Sequence, residues 1–123
     1  MTGGLWQRVC ASDEVRDGES GIVFDLSGRP AAGGSRQTER GFVIRHAGVL
    51  RAYVNRCAHV PVELDWLPGQ FFDETGTLLL CSVHGAAYDP SSGRCQGGPC
   101  AGRGNLQSLP VTEREGGVWF REE

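Results

Sequence analysis

The sequence predicts an all-β fold, a small antiparallel sandwich or barrel, on three observations. Apolar residues recur with period two in short runs, and no stretch sustains a helical repeat. Turn chemistry punctuates those runs at short intervals, as DGES, SGRPAAGGS, HAGV, DETGT, PSSG and EGG. The 19 glycines are spread without a fixed period, the distribution of many tight turns rather than of a linker or a collagen repeat. A chain of 123 residues, 39% apolar and 22% charged, is expected to form one globular domain over residues 1–123 with a single core.

The elements follow in order. Leu5–Ala11 alternates and reads as the first strand, with Cys10 as a small core residue within it. Gly21–Leu26 is the second. Residues 27–40, SGRPAAGGSRQTER, are the most linker-like piece and read as a mobile loop between strands, since neither flank is long enough to fold alone. Gly41–His46 and Leu50–Asn55 form a hairpin, RHAGVLRAYV, whose glycine supplies a positive φ and whose tip leaves His46 solvated. A single short helix is expected around Val62–Leu67, stopped by Pro68-Gly69. Leu78–Ser82, Ala86–Asp89, Leu106–Glu113 and Val118–Arg121 complete the strands, and VTEREGGVWF reads as a closing hairpin.

Charge and hydropathy exclude several function classes. All 12 basic residues are arginine and they are scattered among 15 acids, for a net charge of −3. Nucleic acid favours a clustered basic face, so it is not an expected partner. No stretch approaches the roughly 20 apolar residues of a membrane helix. The N-terminal MTGGLWQRVCASDE lacks the basic and apolar regions of a signal peptide, so a soluble, cytoplasmic protein is expected. Thiols there stay reduced unless they bind metal or do chemistry, which makes five cysteines a question about ligands first.

Two short clusters carry that question, Cys57-Ala58-His59 and Cys81-Ser82-Val83-His84, with 21 residues between His59 and Cys81. Cysteine thiolate and neutral imidazole are ligands of borderline and soft metals. Cys57 follows the strand ending AYVN and Cys81 ends the run LLLC, so each pair sits on a loop at a strand end. A Cys2His2 zinc site would usually pair cysteine with cysteine, whereas each cluster here mixes the two types. A Cys–His nucleophile needs only one pair and leaves the other unexplained. The third reading is a [2Fe–2S] centre with two cysteines on one iron and two histidines on the other.

Cys57-x-His59 with Cys81-x-x-His84-Gly85 resembles the Rieske iron–sulfur motif, and the similarity extends beyond the four ligands. VIRHAGVLRAYVNRCAH looks like the strand pair leading into the first ligand loop of Rieske ferredoxins. CSVHGAAYDPSSGRCQGGPC resembles the second ligand loop, the turn after it and the proline-bearing loop that shields the cluster, where Gly97, Gly98 and Pro99 match. LPVTEREGGVWF is similar to the closing hairpin. The resemblance covers about residues 41–121 and, more loosely, LWQRVCASDEV.

The resemblance implies an all-β antiparallel sandwich built from both ends of the chain, with a small cluster-binding subdomain at about 54–105. It implies one Rieske [2Fe–2S] cluster held by Cys57, His59, Cys81 and His84, with Tyr88 as a hydrogen-bond donor to sulfur. High-potential relatives place a serine two residues after the second histidine and a tyrosine four after it. Here those places hold Ala86 and Tyr88, so a low to intermediate potential is expected. Each histidine is expected to bind through one ring nitrogen and leave the other near solvent, as the electron's entry and exit. The implied activity is that of a monomeric one-electron carrier between a reductase and a terminal oxygenase, without a catalytic site of its own. The length leaves no room for an oxygenase's mononuclear-iron domain. The alternatives are a small iron–sulfur subunit resembling that of assimilatory nitrite reductase, or a redox sensor.

Two departures from the family pattern bear on these expectations. The gap between the clusters is longer than is commonest, and VELDWLPGQFFDETGTL is expected to form a larger flap, packed down by Trp66, Phe71 and Phe72. Its acids, Glu63, Asp65, Asp73 and Glu74, read as solvation or as steering for a basic redox partner. The ligand loops also lack the spare cysteines that high-potential relatives join, placing the chain in the disulfide-free branch. Cys95 and Cys100 flank the proline-bearing loop and read as packed reduced thiols in the cytosol, with a redox-active disulfide or a second metal site as the alternative.

Overall fold

Ten strands carry the fold in the computed structural model, which describes residues 6–30, 38–56, 63–65, 69–81, 85–98 and 104–121. They are β1 (Gln7–Ala11), β2 (Ile22–Pro30), β3 (Thr38–His46), β4 (Val49–Val54), β5 (Leu79–Leu80), β6 (Ala87–Tyr88), β7 (Cys95–Gly97), β8 (Ser108–Leu109), β9 (Val111–Arg114) and β10 (Gly117–Phe120). A 3₁₀ turn, Ser12–Glu14, follows β1, and the Glu14 carboxylate accepts the Ala11 N–H at 2.9 Å.

The strands form three antiparallel sheets, ordered β1-β10-β9, β2-β3-β4-β8 and β5-β6-β7. The four-stranded sheet is the middle layer because its central strands are apolar on both faces. Phe42, Ile44 and Tyr53 point to one side and pack with Phe71, Leu79, Cys81 and Tyr88. Val43, Ala52 and Val54 point to the other and pack with Cys10, Val118 and Phe120. Strict alternation along FVI and AYV thus divides one sheet between two cores.

The first core joins the middle sheet to the small sheet β5-β6-β7. Phe42 is its pivot, stacked on Phe71 with centroids 3.9 Å apart and planes at 12°, and tilted against Tyr53 at 5.9 Å. Tyr53 reaches across the layers to donate 2.7 Å to the Pro90 carbonyl. Burial pushes its phenol up to about 12.

Several expectations are corrected. β2 and β3 run further into residues 27–40 than expected, pairing as far as Pro30 with Thr38. β7 lies where no strand was expected, since QGG carries no apolar alternation to reveal it. The run Leu106–Glu113 is split at Pro110, which has no N–H for a ladder, so β8 pairs with β4 while β9 pairs with β10. Residues 63–65 of the expected helix are not helical; Val62 and Trp66–Leu67 lie outside the described residues. His46 is half-buried, lies 6.2 Å from Phe72 ring to ring, and keeps its Nδ1 sealed from solvent, so it is not a solvated tip.

Candidate metal centre

The second cluster is closed by backbone geometry. Cys81 follows β5 directly and is fully buried. Its N–H donates to the Ala86 carbonyl at 2.8 Å, and its own carbonyl accepts the Gly85 N–H at 2.9 Å. The residues that flank positions 82–84, Cys81 on one side and Gly85 and Ala86 on the other, are therefore hydrogen-bonded to each other. Gly85 has a φ of +74°, a left-handed conformation that favours glycine.

A second glycine locks the neighbouring loop against this one. Gly98, at φ +81°, follows β7 and packs so tightly on the second cluster's exit that a Cβ there would stand 2.6 Å from the Gly85 carbonyl oxygen and 2.9 Å from the Ala86 Cα. Both neighbours are backbone and cannot rotate away. Gly97, one residue earlier, would meet nothing within 4 Å. The close approach to the Gly85–Ala86 backbone is therefore made by Gly98 and not by Gly97. Tyr88 is fully buried two residues beyond Ala86, in the core that also holds Cys81.

The base of the first cluster's loop is visible at both ends. Asn55, 2% exposed at the end of β4, accepts the Leu64 N–H on its side-chain oxygen at 2.9 Å and donates from its amide to Asp65 at 2.8 Å. Asp65 also accepts the Gly69 N–H at 3.0 Å. Arg40 on β3 grips Glu63 with two bonds, at 2.6 and 2.9 Å, and this carboxylate raises the guanidinium's pKa. One asparagine thus fastens the strand that enters the loop to the strap that leaves it.

These bonds revise the reading of the flap. Glu63 and Asp65 both have partners within the chain, although the Glu63 side chain stays 39% exposed. Asp73 organises its own turn, accepting from Thr75 at 2.7 Å and from the Thr77 N–H at 3.2 Å, and the Thr75 bond first of all lowers its pKa. Phe71 is fully buried and Phe72 is partly buried against the same core, so this part of the flap packs as expected. Trp66 lies outside the described residues.

Of the expected site residues, Cys81, Tyr88 and Gly98 are described and lie on or beside the β5-β6-β7 sheet; Cys57, His59, His84 and Pro99 lie outside the described residues. Cys95 corrects a further expectation, because it is disulfide-bonded rather than a reduced thiol; its partner lies outside the described residues. The Cys95 sulfur lies 3.3 Å from the Gly97 carbonyl, a sulfur–carbonyl contact since a disulfide sulfur has no proton to donate. Cys95 lies in neither ligand loop, so its disulfide is not the one that joins the ligand loops of high-potential relatives. The Asn55 clamp was missed from the sequence; an asparagine at a strand end, just before a ligand pair, was the available signal.

The described residues suit an iron–sulfur cluster on three counts. Cys81 offers a soft sulfur donor from a water-excluded strand end. Gly85 leaves open space on its Cβ side. Gly98 brings backbone against the ligand loop where no side chain could fit.

Comparison with known proteins agrees. The chain's fold resembles the terminal oxygenase of carbazole 1,9a-dioxygenase from Novosphingobium sp. KA1, with TM-score 0.74 and 25% identity over 95% of this chain. It spans 29% of that oxygenase's length. A structure described as the complex of reduced oxygenase and oxidized ferredoxin in carbazole 1,9a-dioxygenase contains a chain matched with TM-score 0.71 at 21% identity, over 95% of this chain and 93% of that one. Sphingomonas yanoikuyae B1 ferredoxin matches with TM-score 0.72 at 21% identity, over 97% of this chain and 100% of its own. No curated protein sequence matches this chain. The model of the Rieske [2Fe–2S] domain matches residues 5–112, and the chain belongs to that family, whose cofactor is a [2Fe–2S] cluster.

Proposed function

We propose that this chain is a one-electron carrier, the ferredoxin component of a ring-hydroxylating type of oxygenase system, working in the cytoplasm. Cys57 and Cys81 would hold one iron, and His59 and His84 the other, within a cluster-binding subdomain of about residues 54–105 in a single domain. When bound, the cluster supplies one-electron reduction and oxidation within about −150 to +300 mV. The chain's own residues set where in that span it works. Ala86 offers no hydroxyl to a cluster sulfur, which favours the lower part, while Tyr88 is the candidate donor that remains.

The observation that carries the reading is the span of the structural likeness. It takes in nearly the whole of this chain and nearly the whole of two ferredoxin chains, but only 29% of the oxygenase. Its partners would be proteins, a reductase on one side and an oxygenase on the other. Among the described residues no helix is long and apolar enough to cross a membrane. The Cys95 disulfide is the one feature that a reducing cytoplasm would not preserve unaided.

The test is electron paramagnetic resonance of the dithionite-reduced protein with a potential titration. Mixed Cys/His ligation gives a reduced-state spectrum of low average g, and His84→Cys lowers the midpoint because a thiolate donates more negative charge than an imidazole. A colourless zinc-containing protein, or a midpoint unmoved by His84→Cys, overturns the ligand assignment.

A further inference from the structure

The three-stranded sheet β1-β10-β9 buries one face and presents the other outward. Cys10, Val118 and Phe120 point into the second core. By alternation and register, the outer face carries Trp6 and Arg8 on or beside β1, Gly117, Trp119 and Arg121 along β10, and Thr112 and Arg114 on β9. Two tryptophans and three arginines thus share one face, and none of these seven residues is an acid.

The side chains are assembled rather than scattered. The Arg114 guanidinium stacks over the Trp119 ring at 4.8 Å and Arg121 over the Trp6 ring at 5.1 Å. Gly117 leaves the gap in which they meet, since a Cβ there would stand 3.1 Å from the Arg8 Nε and 3.2 Å from the Trp119 Nε1. The indole N–H of Trp119 is sealed from solvent with no acceptor. Arg8 and Arg114 are exposed and make no ion pair among the described residues. The acid nearest in sequence on β9, Glu113, turns the other way and is spent on Arg45 at 3.1 Å.

A guanidinium held over an indole face is positioned by it, and an exposed one such as Arg114 keeps N–H donors for a carboxylate. Tryptophan and arginine are also the residues most enriched where interfaces concentrate their energy. On a chain of net charge −3, Arg8 and Arg114 place two exposed positive charges on this face that no described carboxylate pairs. We infer that this face is a docking surface for a carboxylate-rich segment of a partner protein. It lies on the far side of the middle sheet from β5-β6-β7, so a partner held there leaves the Cys81 loop uncovered. The inference stands on this face alone and is independent of what the cluster-binding subdomain does.

The test uses ¹⁵N-labelled, cluster-loaded full-length protein and an acetylated hexaglutamate peptide at low ionic strength. The expected result is saturable shifting of the Trp6 and Trp119 indole signals, and affinity weakened roughly tenfold in Arg8→Gln/Arg114→Gln, as two charge-assisted contacts are lost. The exposed Arg16→Gln control should bind as the parent does. An unchanged visible spectrum shows that the variants fold. Absence of shifts, or equal affinity in the double variant, overturns the inference. So does tighter binding of oligo(dT) or phosphatidylserine vesicles than of the peptide. Self-association abolished by the double variant would instead make the occupant a second copy and overturn the partner assignment.

Discussion

Substituting alanine at three nearby glycines separates backbone strain from collision at the site. Gly98→Ala is the severe case. Its φ of +81° costs an L-residue about 1–2 kcal/mol. Its new Cβ would also stand 2.6 Å from the Gly85 carbonyl oxygen, and relieving such overpacking costs about 1–3 kcal/mol. The sum, about 2–5 kcal/mol, is a large fraction of the roughly 5–15 kcal/mol that holds a domain together. Gly85→Ala carries the strain of φ +74° but meets nothing within 4 Å, so it should lose only about 1–2 kcal/mol. Gly97→Ala has neither penalty and should be neutral or slightly stabilising, because it narrows the unfolded ensemble. Denaturant unfolding followed by circular dichroism gives the stabilities, and visible absorbance gives the rate of cluster loss. The order of destabilisation should be Gly98→Ala, then Gly85→Ala, then Gly97→Ala, with cluster loss fastest in the first. If Gly98→Ala matches Gly97→Ala in both readouts, the close approach of the two loops does not hold the site.

Two other perturbations probe the supports around it. Asn55→Ala removes both bonds across the base of the first ligand loop and orphans the buried Leu64 N–H, at a cost of about 2–4 kcal/mol. Calorimetry should show the lower melting temperature and absorbance a faster bleaching; a variant that melts like the parent contradicts the clamp. On the acid side, the carboxyls of Asp73 and Glu113 are both held below their ordinary values, first by the Thr75 and Arg45 hydrogen bonds respectively. A depressed carboxyl contributes stability above its unfolded pKa and loses it as pH falls through the folded one. The urea midpoint should hold steady down to about pH 4.5 and then decline, less steeply in Asp73→Asn, both groups being exposed enough for solvent to keep the effect small. A midpoint that rises on acidification refutes the assignment.

The periodicity of FVIRH and VLRAYV located β3 and β4, because alternation is a local property that survives into any sheet. The mixed Cys/His pairs identified the family, because their residue types and spacing are chemistry written directly in the chain. The sequence was misleading wherever the decision depended on a distant partner. Pro110 splits one expected strand between two sheets, which only the positions of β4 and β10 settle. Cys95 read as a reduced thiol because nothing local records what a sulfur will meet. Glu63 and Asp65 read as surface charge until folding brought Arg40 and Asn55 beneath them. Gly98 differs from Gly97 in its positive φ and in what lies across the gap. By itself the sequence suggested the donor set and determined the family and the main strands, which depend on residue type and short-range geometry. The tertiary structure decided which glycine is indispensable, which acids are spent and which sheet face is left to the outside, because each depends on atoms far apart along the chain.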